Sequence, residues 1–179
     1  LAHGLAEFSI NPQGRIALDL GASTGGFTHV LLDRGVAKVY AVDVGHGVLD
    51  WSLRNDERVI VLERTNARNL TAVQIPEAPD IIVCDASFIG LETVLPGALA
   101  LADPGCDLLA LIKPQFEVGR GRVGKGGVVR DSALHEEVCA RISAWLVAQP
   151  GWRVLGLTES PLKGPAGNKE FLIAARHGA

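Results

Sequence analysis

The sequence predicts a doubly wound α/β domain: a seven-stranded, mostly parallel sheet with an antiparallel last strand, Rossmann-like, with helices on both faces. Three observations predict it. Short apolar runs alternate with helical segments, and right-handed crossovers between such runs give a parallel sheet. Three of the runs end in an acid, at Asp19, Asp43 and Asp85. The chain closes with a strand, a Gly/Pro-rich turn and a strand, which reads as an antiparallel hairpin.

The elements follow in order. Leu1, Leu5 and Phe8 share a face of a mild helical period, and Asn11-Pro12-Gln13-Gly14 is a turn. Residues 15–19 form a short apolar run ending in Asp19, the first strand. A glycine-rich turn comes next, Asp19-Leu20-Gly21-Ala22-Ser23-Thr24-Gly25-Gly26-Phe27, and Phe27 to Arg34 reads as a helix stopped by Gly35. Lys38 to Asp43 is the second strand, Asp50 to Asn55 a short helical stretch, Val59 to Leu62 the third strand and Asp80 to Asp85 the fourth. Leu91 to Leu101 is a helix that Pro96 kinks or splits. Asp107 to Ile112 is the fifth strand, ending at Lys113. Glu117 to Arg130 is rich in glycine and basic residues and lacks an apolar period, a loop of unusual length for a compact domain. Ser132 to Ala148 is an amphipathic helix with Asp131 or Ser132 as N-cap. Trp152 to Thr158 and Glu170 to Ala175 are the last strands.

Composition excludes several classes. The chain has 179 residues, 47% of them hydrophobic, enough to bury a core in one domain. A formal net charge of -3 argues against a globally basic nucleic-acid binder, so any such contact comes from a local patch. The three cysteines, Cys84, Cys106 and Cys139, sit in apolar or helical settings and read as reduced thiols of a cytoplasmic protein. The five histidines form no ligand pair, so no metal is expected. No run approaches the ~20 apolar residues of a membrane span, and no lytic amphipathic helix stands out, so no membrane partner is expected.

In an open α/β sheet, ligands bind beyond the carboxyl ends of the strands. The turn Gly21-x-Ser23-x-Gly25-Gly26 departs from the dinucleotide pattern, because Ala22 and Ser23 crowd the place a pyrophosphate needs. It suits a zwitterionic amino-acid group instead. An ammonium favours Asp19, and a carboxylate favours amides at the start of the helix. Asp43, with Val44 after it, stands where an acid accepts both ribose hydroxyls. Together the strand-end acids point to a nucleoside-like cofactor. Residues 119–126, with Gly124-Lys125-Gly126, mimic a phosphate-binding loop, but Gly126 replaces the magnesium-binding hydroxyl and no strand leads directly into the segment. Its Arg120, Arg122 and Lys125, with Arg130, suit phosphate contacts to RNA.

Several motifs in order resemble the TlyA, or haemolysin A, family of FtsJ-like ribosomal RNA 2′-O-methyltransferases. They are residues 19–27, Asp85-Ala-Ser-Phe-Ile89, residues 113–121 (Lys-Pro-Gln-Phe-Glu-Val-Gly-Arg-Gly), residues 124–131 and residues 164–171 (Gly-Pro-Ala-Gly-Asn-Lys-Glu-Phe). The resemblance covers nearly the whole chain. It implies a class I methyltransferase domain over residues 1–179, S-adenosyl-L-methionine (S-adenosylmethionine) as cofactor, and ribosomal RNA or ribosomal subunits as partner. It implies cofactor contacts at Gly21, Ser23, Gly25, Gly26, Phe27, Asp43, Asn66 and Asp85, with Ala67 beside Asn66 at the adenine edge and Ser87 near the methionine end. It also implies a Lys-Asp-Lys-Glu tetrad whose Asp is Asp85, second Lys is Lys113 and Glu is Glu170.

A 2′-hydroxyl must lose its proton to attack. A free lysine, with a pKa of about 10.4, is a weak base when charged, and burial lowers that value while nearby acids raise it. Lys113 is therefore expected to orient or deprotonate the hydroxyl, with Asp85 and Glu170 tuning it. The family's first lysine falls just upstream of the segment matching residues 1–8, whereas the first lysine here is Lys38, on the second strand. The family's S4-like RNA-binding domain has no counterpart. With Leu1 first and no methionine in the sequence, truncation at the N-terminus is expected. Two other readings stay open: a methyltransferase for another acceptor, and a cofactor-binding module without activity.

Overall fold

The chain, seen in a computed structural model that describes residues 1–178, is built on one sheet. β1 (Ile16–Leu20), β2 (Lys38–Val42), β3 (Val59–Leu62), β4 (Ile81–Cys84) and β5 (Asp107–Ile112) run parallel, while β7 (Phe171–His177) is antiparallel to both β5 and β6 (Trp152–Glu159). The strand order is β3-β2-β1-β4-β5-β7-β6. The order reverses between β1 and β4, which opens a crevice beyond their carboxyl ends.

β1, β2, β4 and β5 are near-continuous apolar runs because helices cover both faces. Leu18, Leu20, Ile82, Cys84, Leu108, Ala110 and Ile112 point to one layer, with α4 (Leu91–Val94), α5 (Pro96–Leu101) and α6 (Ser132–Val147). Ala17, Val39, Ala41, Ile81, Val83, Leu109 and Leu111 point to the other, with α1 (Ala2–Glu7) and α2 (Gly26–Asp33). The alternation is the two-residue period of a strand. A short α3 (Trp51–Arg54) lies between β2 and β3, capped by Asp50, whose side chain accepts from the Ser52 amide.

Several expected boundaries move by one or two residues. β1 continues through Leu20, so Asp19 lies inside the strand and only Asp43 and Asp85 stand just past strand ends. Pro96 splits the helix after β4, since it starts α5 where its missing amide costs nothing. Asp131 is the cap of α6, accepting from the Ala133 amide at 2.9 Å.

The segment 117–130 differs more. It carries two 3-10 turns, at Arg120–Arg122 and Lys125–Gly127, after a third at Pro114–Phe116, and its own Val118, Val128 and Val129 are buried. Three scattered valines carry no period, which is why they gave no sequence signal.

At the rim opposite the crevice, Asp107 opens β5 completely buried. Its two carboxylate oxygens take Arg15 at 2.7 Å and Arg176 at 2.6 Å. This arrangement ties the starts of β1 and β5 to the end of β7.

Candidate active site

The glycine-rich turn is bolted to the sheet by its own backbone. The Gly21 and Ala22 amides both donate to the Val42 carbonyl, at 2.9 and 3.0 Å, and the Asp85 amide donates to the Leu20 carbonyl at 3.0 Å. Gly21 has φ +75°, and a Cβ there would sit 2.6 Å from the Asp85 carbonyl oxygen. Only glycine permits both the left-handed turn and this approach. Ser23 takes φ +52° without being glycine, held by its amide donating to Asp43 Oδ2 at 2.8 Å. Asp43 Oδ1 accepts from the Gly45 amide at 2.8 Å. The Asp43 carboxylate is thus fixed by two backbone donors.

These constraints line a cleft of ≈ 360 Å³ beyond β1, β2 and β4. Of the residues expected at a cofactor site, Gly21, Ser23, Asp43, Val44, Asn66, Ala67, Asp85 and Ser87 line it. The remaining expected cofactor residues lie elsewhere. Asp19 is fully buried under the turn, Ala22 faces a small pocket behind it, and Phe27 lines a second cleft. Gly25 holds the turn against Leu49 and Leu53 with φ +108°, leaving no room for a Cβ. Gly26 starts α2 beside open space. No side chain caps this helix, so its first amides keep their donors for a ligand carboxylate. Asn66 spends its side-chain oxygen on the Arg68 amide at 3.0 Å, capping a 3-10 turn, so its other groups remain for a base edge.

Asp19 is the electrostatic oddity. One oxygen accepts from the Thr28 hydroxyl at 2.7 Å, and the other has no partner. Burial pushes its carboxyl up to about 7, against the Thr28 hydrogen bond, and nearby Asp85 and Asp43 push the same way. An unpartnered buried oxygen beneath an amino-acid-sized turn fits a ligand ammonium.

Asp85 also lines the second cleft, of ≈ 540 Å³, with Glu170, Phe27, Lys163 and the first three residues of the chain. The two clefts share Asp85 as a wall. Lys113, just past β5 and buried, places Nζ 2.5 Å from Asp85 Oδ1. That approach is a contact of charges off the hydrogen-bonding direction; the aligned bond goes to Ser87 Oγ at 3.1 Å. Glu170 lies just before β7. The register pairs Ile112 with Phe171, so antiparallel β7 sets Glu170 beside Lys113 at the same rim. Burial raises the Glu170 carboxyl, with the Lys113 charge opposing. Asp85, Lys113 and Glu170 are therefore brought together, while Lys38 is not: it opens β2 at the far rim and pairs with Glu77.

Val42, Thr65, Ala86, Phe88, Ile89 and Val94 also line the first cleft and were not among the expected cofactor residues. Phe88 is notable. It is exposed, its ring packs 4.9 Å from Phe116, and it holds φ +65°, a strained backbone for a bulky residue. Glu117 was missed as well. Its buried carboxylate accepts from the Leu91 amide at 2.9 Å and from Arg141 at 2.7 Å, joining the segment after Asp85 to the segment after Lys113.

The four basic residues of 119–130 are exposed but not all free. Arg122 pairs twice with Glu137, and Arg130 donates to the Lys125 carbonyl at 3.3 Å. Among the described residues, no group of three or more His, Cys, Asp or Glu is placed to hold a metal. No helix there is long and apolar enough to cross a membrane.

The model of the FtsJ-like methyltransferase family matches residues 1–177. The 16S/23S rRNA (cytidine-2′-O)-methyltransferase TlyA of Mycobacterium tuberculosis strain H37Rv is 52% identical over 176 residues, which are 98% of this chain and 65% of that protein. A "putative rRNA methyltransferase", YqxC of Bacillus subtilis, is 45% identical over 97% of this chain and 62% of its own length. The solved structure of a "putative hemolysin" from Lactococcus lactis superimposes with a TM-score of 0.93 at 42% identity, covering 98% of this chain and 84% of that one. The chain thus spans a little under two thirds of the length of these curated relatives.

Proposed function

We propose, from the premise that the chain belongs to the FtsJ-like methyltransferase family, that it methylates a ribose 2′-hydroxyl of ribosomal RNA, with S-adenosyl-L-methionine as donor. The observation that carries this reading is the buried Lys113, held beside Glu170 against Ser87 and against Asp85, the residue that two clefts share as a wall. The M. tuberculosis relative's name makes cytidine the acceptor to test first. On this reading residues 1–179 are one methyltransferase domain, and Arg120, Arg122, Lys125 and Arg130 contact RNA phosphates.

Asp43 accepts the ribose hydroxyls of the cofactor, Asn66 and Ala67 meet its adenine edge, and Asp19 with the first amides of α2 holds the amino-acid end. Bound there, S-adenosyl-L-methionine supplies an electrophilic methyl. Asp85 stands between that position and the acceptor cleft. Lys113 orients the 2′-hydroxyl or, in its neutral form, takes its proton, and the two flanking carboxylates keep its nitrogen aimed at the acceptor side. Positioning then provides much of the rate.

Incubation with methyl-labelled cofactor and ribosomal subunits or naked rRNA tests the proposal. Label in RNA supports it; cofactor binding with no label in either RNA contradicts it.

The Asp19 assignment predicts a pH dependence. A carboxyl with a raised pKa of about 7 is protonated below that pH in the empty protein. Pairing with a ligand ammonium requires the ionised form, so binding releases a proton there. Cofactor affinity is expected to rise with pH up to about 7 and level off above it. Asp85 and Asp43, the charged neighbours of Asp19, act on it in both states. Calorimetric titration across this range checks the expectation, and Asp19→Asn should flatten the curve. A flat curve in the unsubstituted protein would remove Asp19 from the ammonium site.

A further inference from the structure

We infer that Asn168 is a positioning residue that ties the basic loop to Glu170, so that the RNA-contacting segment and the catalytic carboxylate form one mechanical unit. The inference rests on the methyltransferase reading above. Asn168 is buried, with its side chain engaged at both ends. Oδ1 accepts from the Val129 amide at 3.0 Å, and Nδ2 donates to the Gly127 carbonyl at 2.9 Å and the Pro165 carbonyl at 3.2 Å. Its own carbonyl accepts from the Gly164 amide at 2.8 Å. One side chain therefore joins the tip of the basic loop to the turn 164–168, and Glu170 follows two residues later.

A second tie runs parallel to the first. The Val129 carbonyl accepts from Nε2 of His135, buried on α6, at 2.8 Å. The His135 ring lies 5.6 Å from Phe171, the residue after Glu170. Both backbone groups of Val129 are thus held, and both holders reach the start of β7. Gly164 packs so closely on the Glu170 carboxylate that a Cβ there has no room. A shift of the loop is transmitted to the backbone that confines Glu170.

The buried network resists opening, because each freed polar group would lose its partner in a poorly hydrated place. Arg120, Arg122, Lys125 and Arg130 stand on its exposed side. Lys163 lies beyond it, on the rim of the second cleft with Glu170. Phosphates gripped by the loop therefore help to set the carboxylate beside Lys113.

Steady-state transfer of labelled methyl to rRNA tests the coupling. Asn168→Ala should lower kcat about 10- to 100-fold, as a small misplacement of catalytic groups does, and leave cofactor Kd unchanged. In the unsubstituted protein, the pair Arg120→Ala and Lys125→Ala should lower kcat and raise the KM for RNA. In the Asn168→Ala background the same pair should raise KM alone, a non-additivity that general loss of stability does not produce. If Asn168→Ala loses cofactor binding through misfolding, Asn168→Asp, which keeps the acceptor for Val129 and loses both donations, is held to the same criteria. An unchanged kcat, or loop substitutions that lower kcat equally in both backgrounds, overturns the inference alone. An unsubstituted protein that labels no RNA overturns the methyltransferase reading and this inference with it.

Discussion

Lys113→Ala is expected to cut methyl transfer by roughly 10²–10⁴-fold, the span over which a positioned acid or base contributes, while cofactor affinity stays nearly intact. Lys113 is buried and touches Asp85 and Ser87, but it does not itself line the first cleft, so its loss removes no direct contact to the cofactor. Removing the cation also leaves Asp85 and Glu170 facing each other without the charge between them. Lys113→Arg separates the two tasks given to the lysine. Arginine keeps the charge but does not give up its proton in proteins, so it can orient and cannot act as base. An inactive arginine variant with normal cofactor Kd assigns proton transfer to Lys113; an active one leaves it only orientation. Single-turnover rates beside equilibrium titration make the measurement.

Asp107→Ala is expected to cost about 3 kcal/mol or more of folding stability, at the lower end of the range for breaking a buried ion pair. The carboxylate is fully buried and holds both Arg15 and Arg176. The two guanidiniums are partly exposed, with side chains 27% and 35% accessible, so water can recover some of what each loses. That is why the lower end applies. For a chain of this size the loss corresponds to a fall in Tm of roughly 6–12 °C. The pair sits at the rim opposite the clefts, so the variant's turnover at low temperature should match that of the unsubstituted protein. Denaturant melts with a parallel assay separate the two effects. A variant as stable as its parent would show that the cluster is held by the rest of the sheet.

Much of the fold was legible because it rests on short-range patterns. Runs such as 81–84 and 107–112 are wholly apolar and bounded by turns, which marks buried parallel strands. Gly21 and Gly25 announced a turn that only glycine tolerates, and Pro96 announced a break. Asp43 and Asp85 were found as cofactor-site acids because each stands at a strand end, and strand ends share a rim; the catalytic roles of Asp85, Lys113 and Glu170 came from the family resemblance. What escaped depends on contacts distant in sequence. Asp19 looked like a rim residue until β1 proved one residue longer. Phe88, Glu117 and Asn168 take their places from hydrogen bonds, ring contacts and backbone strain that no local period encodes. The basic loop looked unstructured because its ordering comes from single buried valines and from Asn168.

On the proposed function, the methyl group goes to a ribose 2′-oxygen of RNA. Alkaline hydrolysis of RNA labelled by this protein tests it most directly, because alkali cleaves the chain through a free 2′-hydroxyl and cannot do so where that oxygen carries a methyl. Label is expected in alkali-resistant dinucleotides and is lost with Lys113→Ala. Label released in mononucleotides, which places the methyl on a base, would contradict it.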